Sequence, residues 1–88
     1  MNDDLKIAIE KTTEYILSLL PNDVKTDIMN TKEEDLAIFH FNIGIWLRNN
    51  ILTDNNEINN AFIKNNIFHK DDMSAYIIRE IKKKMPKT

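Results

Sequence analysis

Gly44 is the only glycine of the chain, and Pro21 and Pro86 are its only prolines. β-Hairpins take their tight turns largely from such residues, so a chain this poor in them has little of the turn chemistry a sheet needs. The expected class is all-α: a compact bundle of four to five helices around a central buried helix at about residues 32–50.

Eighty-eight residues suffice for one domain, so 1–88 is expected to be a single helical unit with one core. Hydrophobic residues at 42% and charged residues at 30% place it among globular chains rather than disordered ones. The absence of cysteine rules out a disulfide framework and a thiolate metal site. A net charge of −2 supplies no broad basic field, which argues against nucleic acid as the main ligand. No apolar run approaches the roughly 20 residues of a membrane span, and Asn2, Asp3 and Asp4 open the chain unlike the basic start of a signal peptide. A cytoplasmic protein with no membrane contact is the expectation.

Hydrophobic periodicity divides the chain. Leu5, Ala8, Ile9, Thr12, Ile16, Leu19 and Leu20 form the stripe of a first helix, capped by Asn2 or Asp3 and stopped by Pro21. Asn22 to Met29 reads as a short helix with Val24 and Ile28 inward. Thr31-Lys32-Glu33-Glu34 has the form of a capping box, launching a helix to about Asn50. Along that helix Leu36, Phe39, His40, Ile43, Leu47 and Ile51 share one side, and Ile38, Phe41 and Ile45 the other. Apolar nearly all round, it is expected to be the buried centre. Asp54 is expected to cap a helix ending near Lys64, with Asn65-Asn66 as its left-handed stop. The last helix starts at His69-Lys70-Asp71-Asp72, carries Met73, Tyr76, Ile77, Ile81 and Met85 inward, and closes at Pro86. Its first-turn carboxylates and its Lys82-Lys83-Lys84 end both suit the helix dipole.

Two segments carry a resemblance. His40-Phe41-x-x-Gly44-x-Trp46-x-Arg48-Asn49-Asn50 is followed at a distance by His69-x-Asp71-Asp72-Met73-Ser74. This pairing resembles a family of small bacterial all-helical domains with no assigned function, over roughly Leu20 to Ile81. The resemblance implies an all-helical domain and no reaction. The chain departs from the family pattern at Lys70, where a proline is common, and at Ile51-Leu52-Thr53, where an aromatic, glycine-rich turn is common.

The same segments hold the candidate polar cluster: His40, Arg48, Asn49, Asn50, His69, Asp71 and Asp72. A guanidinium placed deep in a fold needs a carboxylate, and Asp71 or Asp72 is expected to provide it. His40, on the apolar side, reads as a neutral core residue, and Gly44 as a point of close approach. The metal-ligand spacings that join two histidines within one turn are absent, no glycine-rich loop is present to hold phosphate, and no nucleophile elbow occurs. No catalytic residue, cofactor or metal is therefore assigned. The expected function is a non-enzymatic protein-binding domain, of the kind found in immunity proteins, antitoxins and phage-encoded inhibitors of defence enzymes. Glu33, Glu34 and Asp35 form the candidate face for a partner with a basic surface. The rivals are a small enzyme or ligand-binding domain using the polar cluster, and a nucleic-acid module using the C-terminal lysines.

Overall fold

Residues 3–85 are described by a computed structural model, and they form helices without a strand among them. The proposed cap Asn2 and the proposed stop Pro86 lie outside the described residues. Helix α1 runs Asp3–Leu19 and buries Leu5, Ala8, Ile9, Thr13 and Ile16, one face repeating at three and four residues. Leu19 ends exposed rather than on the stripe. Pro21, extended, stands at the N-cap of α2, Asn22–Asn30, which buries Ile28.

The capping box does not form. The Thr31 hydroxyl instead donates backwards to the Asp27 carbonyl at 2.6 Å, closing α2 rather than opening the next element. A threonine hydroxyl can bond a carbonyl one turn earlier, and here that bond prevails over the cap. Lys32 stands at the following N-cap without a side-chain hydrogen bond.

The segment expected as one buried helix is divided. Glu33–Phe39 is a 3-10 helix of 7 residues, and α3 covers Ile43–Asn50. Asn42 separates them: its side-chain oxygen accepts from the Ile43 amide at 2.6 Å, giving α3 its own cap. Three residues per turn align Leu36 directly with Phe39, both buried, and the break then restores Ile43 and Leu47 to the same side. The predicted inward stripe is thus correct except at His40, but among the described residues the opposite side is not covered. Ile38, Phe41, Ile45 and Trp46 face solvent.

After a turn containing buried Ile51 and Leu52, α4 spans Glu57–Lys64. Its cap is Asn56, whose side chain accepts from the Ile58 amide, and not Asp54, which pairs with Lys70 at 3.4 Å. Asn66, with φ of 64°, supplies the expected left-handed stop. Helix α5, Lys70–Lys84, is the hub: it packs against α1, α3 and the 3-10 segment, while α1 also packs on α4. Met73, Ser74, Ile77, Ile78 and Ile81 make a double-width buried stripe, wide enough to serve neighbours on two sides. Lys82 ties α2 to this hub, donating to the carbonyls of Ile28 (3.4 Å) and Met29 (3.0 Å). Both carbonyls lie in the last turn of α2, where no basic side chain of its own stands, and that of Ile28 also accepts from the Thr31 amide at 3.2 Å. No helix among the described residues is long and apolar enough to cross a membrane.

Candidate functional site

The two motifs meet where α3 crosses α5. Arg48 leaves α3 with its Nη1 3.4 Å from Asp71 Oδ1 and 3.5 Å from Ser74 Oγ. Ser74 in turn donates to the Asp71 carbonyl at 3.0 Å, so the hydroxyl is held by its own helix while accepting from Arg48. The guanidinium passes close over Gly44: a Cβ there would lie 3.1 Å from Arg48 Nη1. The close approach expected at the glycine is therefore made by a side chain of the same helix. Ser74 was not singled out from the sequence, although its place three residues after Asp71 put it on the same face.

His40 joins from the turn after the 3-10 segment, its Nε2 3.9 Å from Asp71 Oδ1 and its ring edge-on to Phe41 at 5.0 Å. It is not a core residue, because the side chain is 34% exposed. The chain turns at residues 40–42 before it can carry His40 under α5. The charged pair is also wetter than a deep clamp: Arg48 is 19% exposed and Asp71 66%.

The other members of the candidate cluster do not converge. Asn50 turns back to the Trp46 carbonyl at 3.0 Å, and Asn49 is exposed. His69 occupies the N-cap of α5 without a side-chain cap bond, and it lines a separate shallow cleft with Asp72. The described residues contain no group of three or more His, Asp or Glu side chains placed to hold a metal ion. The C-terminal lysines are engaged as well. Lys82 holds α2, Lys83 lies 3.5 Å from Glu80, and Lys84 reaches Glu10 at 3.0 Å and Glu14 at 3.6 Å. The Glu10 hydrogen bond, with both carboxylates nearby, raises the Lys84 pKa above its ordinary value.

Beside the cluster lies a groove of about 460 Å³ between the 3-10 segment and α5. Leu36, Ala37, Phe41, Ala75 and Ile78 give it an apolar lining, and Glu33, Glu34, His40 and Arg79 add polar groups. Asp35, the third acidic residue of the predicted face, is exposed next to them. Of the Ile38, Phe41 and Ile45 face, which periodicity alone reads as buried, only Phe41 lines the groove.

A family model described as a domain of unknown function, DUF6794, matches residues 7–85. The chain belongs to that family. The match spans both motifs, the groove and the hub helix. Searches of the curated proteins and of the solved structures return no match.

Proposed function

We propose a non-enzymatic protein-binding domain that works through the face of Ile38, Phe41, Ile45 and Trp46. The observation that carries this reading is Phe41, 80% exposed, with Ile38 at 63% on the same short stretch. Clustered large apolar side chains beside charged ones mark interaction surfaces more often than chance exposure does. Fully burying a phenylalanine or isoleucine contributes about 1.5–3 kcal/mol, which gives a partner a reason to cover them. The polar cluster supports the same reading, because Arg48 and Asp71 already face each other and Ser74 donates to backbone. Occlusion of the partner is the mode this reading implies, as for an immunity protein, an antitoxin or a phage-encoded inhibitor of a defence enzyme. The acidic group Glu33, Glu34 and Asp35 favours a basic surface on that partner.

The test is capture from extract of the native host with the wild-type chain and an Ile38→Ser/Phe41→Ser variant as baits. A specific protein retained by the first and lost by the second is the expected result. Identical retention by both baits, or recovery of nucleic acid instead, would show the class to be wrong.

A further inference from the structure

We infer that the groove between the 3-10 segment and α5 receives a basic amphipathic helix of the partner. This rests on the protein-binding reading and names the chemistry of the occupant. Both walls are helical and antiparallel: His40 meets Asp71 at one end, and the α2 end just before the 3-10 segment meets Lys82 at the other. Two such rods leave a trough in which a third rod can lay its side chains. Ala37 and Ala75 sit exposed in the lining, one on each wall, and their small side chains let a helix backbone come close. Phe41 stands at one end as an apolar contact for a stripe repeating at three and four residues. A peptide added as a β-strand would need a sheet edge, and the described residues form no strand.

The charge of the occupant follows from the rim. Asp54, Asp71, Glu10, Glu14 and Glu80 all hold cations within the molecule. Glu33, Glu34 and Asp35 hold none among the described residues. Arg79, the lining cation, lies over the Tyr76 ring with its Cζ 4.9 Å from the centroid. The carboxylates therefore present negative charge to whatever enters, and Lys or Arg flanking the apolar stripe complements it. First-turn carboxylates also suit the dipole of their own helix, but that role is indifferent to the charge of an incoming peptide.

Two synthetic helical peptides decide the matter, sharing one leucine stripe and carrying either lysine or glutamate beside it. Each is titrated into the isotope-labelled full chain, with amide shifts and affinity as readouts. We expect shifts at Ala37, Phe41, Ala75 and Ile78, and at least tenfold tighter binding of the lysine peptide. Glu33→Gln/Glu34→Gln should erase most of that preference, and Phe41→Ser should weaken binding at least tenfold; melting curves confirm that these exposed-site variants still fold. Equal affinity for the two peptides, shifts on another face, or no binding of the lysine peptide overturns the inference. Self-association of the chain through Phe41 would overturn it too, by making a second copy the occupant. Phe41-dependent capture of a host protein alongside failure of the lysine peptide removes the basic helix and leaves the protein-binding reading standing. Failure of both removes both.

Discussion

At the scale of single residues, Arg48 and Gly44 are in close contact. The guanidinium crosses to Asp71 and Ser74 over the space that a side chain at position 44 would occupy. The expectation from sequence was a deeply buried clamp whose charge reversal costs a few kcal/mol. With Asp71 largely in water, screening reduces that figure. Arg48→Glu should destabilise by about 1–2 kcal/mol, read from urea melts, rather than the larger loss of a fully buried pair. Gly44→Ala gains close to 1 kcal/mol of helix propensity. The new methyl meets the flexible tip of Arg48, which can shift by a few tenths of an ångström at small cost. A slightly raised melting temperature is therefore expected, and a lowered one would show that the guanidinium is pinned.

At the scale of elements, two caps and one inter-helix lysine allow direct tests. Asn56 caps α4 through the Ile58 amide, so Asn56→Ala should cost about 1 kcal/mol. Asp54 makes only an exposed ion pair with Lys70, and Asp54→Ala should cost less than half as much. Equal losses at the two sites would restore Asp54 as the cap. Lys84 joins the end of α5 to Glu10 and Glu14 on α1. Its pKa is raised in the folded chain from an ordinary 10.5, so its contribution is present in full below that value and fades as pH rises through the folded pKa. The melting-temperature gap between wild type and Lys84→Met should stay constant from neutral to mildly alkaline pH and close only above about 10.5. A gap that stays unchanged as the pH rises well above 10.5 would show that the ammonium does not hold α5 to α1.

At the scale of the whole molecule, two phenylalanines have opposite fates. Phe62, fully buried between elements, should cost about 3–5 kcal/mol on truncation to alanine. Phe41→Ser should change stability by no more than about 0.5 kcal/mol, since water already covers most of the ring. A large loss at Phe41 would mean that the side chain is part of the fold and not of a working face. The contrast also shows what could be read in advance. The inward residues of α1, α2, α3 and α5 were largely visible as periodic stripes, and Asn66 was visible as a left-handed stop. Arg48 and a carboxylate of the second motif were expected to meet, and they do. Thr31 and Asp54 misled because each has a second hydrogen-bonding or ionic partner that the local pattern does not display. Asn49, Asn50, His69 and Asp72 misled because nearness in sequence to Arg48 or Asp71 does not bring a side chain to the same face.

Helical class, approximate element limits and inward stripes follow from the sequence, because the 3.6-residue period and terminal signals act over one or two turns. Which helix becomes the hub depends on contacts between residues far apart in the chain. The segment around Phe41 is apolar on both sides, and local pattern gives either side an equal claim to the core. The double-width stripe of α5 offers partners to Leu36, Phe39, Ile43 and Leu47, and α5 is also held against α1. Among the described residues no remaining element covers the other side. Tertiary packing alone leaves Ile38 and Phe41 in water and turns half of an apparent core helix into a surface.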